Sequence, residues 1–347
     1  MKKYLRLFTV LTIMFAFAVS QLGQISAQSN ALAITPRKDY RLEPGKSVSD
    51  TLTITNRDTQ LALQLTLKVI DFSFQDESGT PQLLRQGTDS TSWSLKEFIK
   101  LPEQVSVKPG ETVRIPITIN VPGNIGAGSY YSAIEYAAVN STEENRLNIS
   151  ASGVTLMFVK VPGQAAEQLS FLQFGTFVPD PNGTGGSFAG LFFSERPRVM
   201  AYRLKNEGNI AEQPSASITV KNSSGDIKYT IDNANPKDQI ALRGQTRRFD
   251  ACIVPESVGQ TTDDGVEVNT VVCGDTDFSP GRYIAELSVL YGENGSETRE
   301  ITARSTFWYL PWWFMAIVAV GLGILVGAGF YIFRRVKASL NRKTRRR

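Results

Sequence analysis

Cys252 and Cys273 are the only thiols in the 347-residue chain, and histidine is absent. Without an imidazole there is no Ser-His-Asp or Cys-His nucleophile and no histidine-ligated metal, and two thiols cannot make a four-thiolate zinc site. In an oxidising compartment the two cysteines would close a bridge around a loop of about 20 residues, worth roughly 3 kcal/mol in the chain-entropy account. The alternative is a pair of unbridged thiols. Asp263, Asp264, Asp275 and Asp277, with Gly265 and Gly274, bring carboxylates close together in sequence, and such oxygens are what calcium takes. Their spacing fits no calcium loop, so a solvated acidic loop is expected. Asn182-Gly183-Thr184-Gly185-Gly186-Ser187 is followed by no lysine, which excludes a phosphate loop. No motif nominates the carboxylate pair that a glycosidase needs. Neither an enzyme nor a bound cofactor or metal is expected.

What remains is the chemistry of contact. Tyr130, Tyr131 and Tyr136 share one segment, and tyrosine offers a large apolar area with a polar tip. They are the candidate ligand-contact residues, against the alternative that they alternate between a core and an ordinary surface. Ala319, Gly323 and Gly327 recur every four residues in an apolar segment. Small residues at that spacing let two helices approach closely, a candidate homodimer face.

The elements that carry these residues alternate with period two. Leu61, Leu63, Leu65, Leu67 and Val69 form one series, Val113, Ile115, Ile117, Ile119 and Val121 a second, and Tyr283, Ala285, Leu287, Val289 and Tyr291 a third. One apolar face per strand predicts half-buried antiparallel strands, as in a sandwich. Pro116 cannot donate to a ladder and points to an edge. Ser94 to Leu101 is expected to form one short helical turn. The pattern occurs twice: a strand ending in asparagine (Asn56, then Asn206), a turn opening a strand (Pro109-Gly110, then Arg243-Gly244), and a Gly-x-Tyr strand start (Gly128-Ser129-Tyr130, then Gly281-Arg282-Tyr283). The last interval is 18 residues in the first half and 37 in the second, so the second carries an insertion around Cys252 and Cys273. The predicted fold is all-β: two tandem immunoglobulin-like β-sandwiches plus one C-terminal transmembrane helix. Residues 28–164 form the distal domain and 165–307 the membrane-proximal one.

The ends set the expected topology. Lys2, Lys3 and Arg6 precede the apolar run Leu7 to Val19 and the small residues before Ala27, the layout of a secretory signal peptide. It is assigned to residues 1–27, with Ala31 as a second cleavage choice. Trp312 to Phe333 is uncharged over 22 residues and flanked by aromatic rings, enough to cross a bilayer core of about 30 Å. The transmembrane helix is assigned to 308–333 and the basic cytoplasmic tail to 334–347, with the body outside the cell. Of the overall +4 charge, eight cations follow Phe333 and three precede Leu7, which leaves −7 for the body between. An acidic body does not suit nucleic acid, and it points to a neutral glycan or a basic protein partner before an anionic polymer.

Leu42-Glu43-Pro44-Gly45, the strand end Thr53 to Asn56, Trp93 with Ile99, and Val121-Pro122 leading into Gly128-Ser129-Tyr130 carry a resemblance. So do Lys205-Asn206-Glu207-Gly208-Asn209, Tyr291-Gly292-Glu293-Asn294-Gly295 and Thr306-Phe307-Trp308-Tyr309-Leu310-Pro311-Trp312. On these turn and strand signatures the chain resembles the WxL-interacting family of bacterial surface proteins, its first half resembling their peptidoglycan-binding domain. The resemblance implies a non-catalytic, membrane-anchored binding or scaffold protein of the cell envelope that contacts peptidoglycan or another surface protein. It transfers no ligand-contacting residue. The alternatives are a periplasmic-type assembly chaperone, since Ile34 to Asp71 also resembles pilus-chaperone sandwiches, and a purely structural surface spacer.

Overall fold

The computed structural model describes residues 32–85, 91–138, 152–164, 166–180, 185–261, 267–292 and 298–344. The predicted signal peptide, Asp263, Asp264 and Gly265 lie outside that set. The fold is all-β, two tandem immunoglobulin-like sandwiches followed by one apolar helix.

The first sandwich packs a four-stranded sheet, ordered Leu32–Ile34, Ser47–Asn56, Thr112–Asn120, Ile99–Lys100, on a five-stranded one. The latter runs Arg37–Arg41, Ser152–Val161, Gly128–Ala138, Leu63–Ile70, Gln104–Val107. The alternating series decide which face turns inward: Leu52, Ile54, Leu65, Leu67, Ile115, Ile117 and Ile119 are all buried in one cluster, each worth about 1.5–3 kcal/mol relative to exposure. The Ile99–Lys100 strand covers only Ile119 and Thr118. At Pro116 the long strand is therefore an edge, where a missing N–H costs no ladder bond. Ser94 to Leu101 makes a single turn, closed by Phe98 and Ile99 N–H on the Leu95 carbonyl, and passes directly into that short strand.

The second sandwich repeats the plan. One sheet orders Gly186–Phe188, Leu169–Pro179, Val199–Asn206 and Thr246–Cys252. The other orders Phe192–Phe193, Arg299–Tyr309, Gly281–Tyr291, Ser215–Asn222 and Ile227–Ile231. The duplication extends to single atoms. Asn56 is fully buried and its Nδ2 donates to the carbonyls of Leu61, Val107 and Lys108, while Oδ1 accepts from Asp58 N–H. Asn206 is fully buried and does the same with Ile210, Ala241 and the Gly208 N–H. The insertion of the second half is an antiparallel hairpin, Pro255–Thr261 against Glu267–Cys273. Cys252 and Cys273 are joined by a disulfide that staples its base to the adjoining sheet strand.

The helix runs Trp312–Thr344. Trp308 and Tyr309, assigned to the helix from sequence, belong instead to the last strand, where they pair with Arg282 and Gly281. An aromatic-rich segment suits both a strand and a membrane boundary, and Pro311 breaks the ladder and opens the helix. Trp312–Arg335 is long and apolar enough to cross a membrane.

Candidate binding cleft between the two sandwiches

The two sandwiches are fused. The chain leaves the first sheet at Ile70 into a hairpin, Phe72–Phe74 with Pro81–Leu83, that lies against the second domain. Phe72, Tyr131, Ala133 and Phe158 of the first domain are buried in one apolar cluster with Ile240 and Leu242 of the second. At the hairpin tip the Glu77 carbonyl accepts Arg248 N–H at 2.8 Å and its carboxylate pairs with Arg203. The Arg247 guanidinium lies 4.8 Å from the centre of the Phe74 ring. Gly79, at φ +86°, passes beneath Arg247, where any Cβ would strike the guanidinium.

Asn209 ties the remaining edge. Its carbonyl accepts Ser129 N–H at 2.9 Å, its Nδ2 donates to the Ala127 carbonyl at 3.1 Å, and its Oδ1 accepts the N–H of Ala166 in the connecting segment at 2.9 Å. Ser129 Oγ accepts Ala211 N–H at 2.8 Å. Gly128 has φ +154°, and a Cβ there would sit 3.1 Å from the Asn209 carbonyl oxygen. The Gly-x-Tyr start and the Lys205-to-Asn209 signature, read as separate repeats, thus meet at one joint.

Beside this joint opens a cleft of about 710 Å³. Its walls are the edge strand Arg37–Arg41, the neighbouring Lys160, and the loop carrying Lys237 and Asp238. Arg37 lies over Phe158, 4.9 Å from the ring centre, donates to Asp39 at 2.8 Å and reaches the Asp238 carbonyl at 3.4 Å, so one guanidinium bridges both domains. Asp238 is the one described non-glycine residue with positive φ, +48°. Asn235 holds its loop by donating to the Pro214 and Gln239 carbonyls and accepting Gln239 N–H. Burial draws the Lys160 ammonium below the ordinary lysine value; Glu212 opposes this in part, and the adjacent Arg41 adds to it. The lining holds four cations, Arg37, Arg41, Lys160 and Lys237, against the carboxylates of Asp39 and Asp238, with Glu212 close enough to act on Lys160, so that the cations exceed the carboxylates by one. In an acidic body this is a locally cationic recess with an aromatic floor, suited to a carboxylate or other anionic group.

The tyrosine expectation is corrected at Tyr131 and Tyr136. Tyr131 and Tyr136 are fully buried. Gly128–Ala138 is an interior strand, and residues five apart point to opposite faces. Tyr136 enters its own domain's core with its hydroxyl on Thr155, while Tyr131 stacks on Trp93 inside the interdomain cluster. Tyr130 is half-buried, with its ring near Phe98 and its hydroxyl donating to the Gly126 carbonyl. Neither Tyr131 nor Tyr136 presents a ring at the surface. Asp275 is paired with Arg198, and Asp277 accepts from Lys228 and Tyr229. Among the described residues no cluster could hold a metal ion. Ala319, Gly323 and Gly327 lie on exposed helix surface. Sequence reading missed the cleft; its one local signal was the cation-dense strand Arg37-Lys38-Asp39-Tyr40-Arg41.

No family model and no curated protein matches the chain. Solved structures resemble the chain at low identity and low TM-score. The Escherichia coli chaperone DraB is 11% identical with a TM-score of 0.34, over 78% of this chain and 96% of that one. A chain of the Salmonella enterica SafA pilin–SafB chaperone complex is 10% identical with a TM-score of 0.36, over 79% and 96%. The PapD-like domain 7 of human CEP192 is 15% identical with a TM-score of 0.28, over 40% of this chain and 90% of that one.

Proposed function

We propose that this is a non-catalytic, membrane-anchored binding protein of the bacterial cell envelope, with the organisation of the WxL-interacting proteins. Its signal peptide directs the body outside, its apolar helix holds it at the membrane, and its basic tail stays in the cytoplasm. The interdomain cleft takes a carboxylate-bearing segment, either the peptide part of peptidoglycan or an acidic stretch of a surface protein. The cation set of the cleft carries this reading: Arg37, Arg41, Lys160 and Lys237 converge from elements about 200 residues apart in a body whose net charge is negative. This sign differs from the neutral or basic partner expected from whole-body charge, because a bound group feels the charges within about one screening length, near 8 Å at physiological salt.

The test is retention of the full-length protein, reconstituted in lipid nanodiscs, on purified peptidoglycan sacculi and on the solubilised envelope-protein fraction. Retention by one of the two, lost as salt is raised, is expected. Retention by neither at micromolar protein would contradict a binding role and leave a structural spacer.

A further inference from the structure

The membrane-proximal end of the second sandwich carries an apolar rim that neither its core nor the cleft uses. Phe192 and Phe193 pair in register with Trp308 and Tyr309, and the flanking bonds, Trp308 N–H to the Leu191 carbonyl and Leu310 N–H to the Phe193 carbonyl, are both 2.7 Å. The pairing puts Leu191 and Phe192 at the height of Trp308, about 5 Å to its side. The helix begins at Trp312, three residues after Tyr309 and so within about 10 Å of it. Leu191 and Phe192 are 62% and 67% exposed, and Trp308, Trp312 and Trp313 are exposed beside them. The loop that follows turns back at Arg196-Pro197-Arg198, with Glu195 and Asp275 balancing its two arginines.

We propose that Leu191 and Phe192, with Trp308, seat in the outer-leaflet interface of the bilayer that the helix crosses. The domain is then held to the membrane at two points, not only by the helix. The occupant is the lipid surface because the rim is continuous with the span and lies at the depth where amphipathic rings collect. The exposed Arg282, in register with Trp308, leaves this face one cation in excess; with so small a charge apolar insertion drives the contact and zwitterionic lipid suffices. This inference rests on the helix being a membrane span.

The experiment uses the full chain in phosphatidylcholine vesicles, with single cysteines carrying an environment-sensitive fluorophore and spin-labelled lipid quenchers at shallow and deep positions. The native disulfide is kept oxidised. Leu191→Cys and Phe192→Cys should be quenched at least about twofold by the shallow quencher. Leu290→Cys, on exposed surface nine residues up the same sheet from Gly281 and so about 30 Å away, should not be quenched. Ile317→Cys, inside the helix, should respond to the deep quencher. Quenching at Ile317 without quenching at Leu191 and Phe192 overturns the rim contact alone. No quenching at Ile317 overturns the span and the rim contact together.

Discussion

Asp71 shows how one residue organises a segment. Its fully buried carboxylate accepts Thr91 N–H at 3.0 Å, the Thr91 and Ser94 hydroxyls at 3.1 and 2.7 Å, and the Ser132 hydroxyl at 2.9 Å, with Lys96 Nζ at 3.3 Å. Burial alone would raise its pKa, but Ser94, Thr91, Ser132 and Lys96 outweigh burial and hold it below the ordinary carboxylate value. A carboxyl with a depressed folded pKa stabilises at pH above the unfolded value of about 3.9, and that stability is lost as pH falls through the folded value. Asp71→Ala should cost about 3 kcal/mol at pH 7 by leaving several buried donors without an acceptor. The wild-type advantage over the variant should shrink below pH 4 in denaturant titrations. Asn206→Ala, which leaves the Ile210 carbonyl without its donor and the Gly208 N–H without its acceptor, should likewise cost about 2–3 kcal/mol. Unchanged midpoints would refute either role.

At the scale of elements, the hairpin Pro255–Thr261/Glu267–Cys273 pairs with no other strand in the sheet order, and a lone two-stranded ribbon is marginal in water. Its disulfide should therefore contribute about 3 kcal/mol, seen as a lower denaturant midpoint on reduction and as protease cleavage between Cys252 and Cys273. A reduced protein with an unchanged midpoint and no new cleavage would contradict this. Period two, proline and glycine punctuation and the duplicated asparagine made both sandwiches and the bridged insertion readable from sequence, because each is a local rule. The choice of Tyr131 and Tyr136 as contact residues rested on ring chemistry and not on that rule, and their burial overturns it. Alternation says that neighbouring residues face opposite ways, but not that the outward face of Gly128–Ala138 is covered by Ile240 and Leu242 of the next domain. The cleft was illegible for a related reason: Arg37 and Asp238 are 201 residues apart, and no periodicity announces their meeting.

At the scale of the molecule, the shared apolar cluster makes the two sandwiches one cooperative body. Leu242 is fully buried in it, and Leu242→Asp should split calorimetric unfolding of the body into two transitions, where the wild type shows one. A wild type that already melts in two would contradict the fused interface. The joint matters to function because it sets the distance between Arg41 on one domain and Lys237 on the other, both exposed at the cleft mouth. The most direct measurement is therefore the binding isotherm of the full-length protein in nanodiscs, on whichever envelope fraction retains it, for wild type and for Arg41→Glu with Lys237→Glu. With the melting temperature unchanged, the double reversal should weaken binding at least tenfold, about 1.4 kcal/mol. Superimposable isotherms would show that the partner, if bound, does not sit in the cleft.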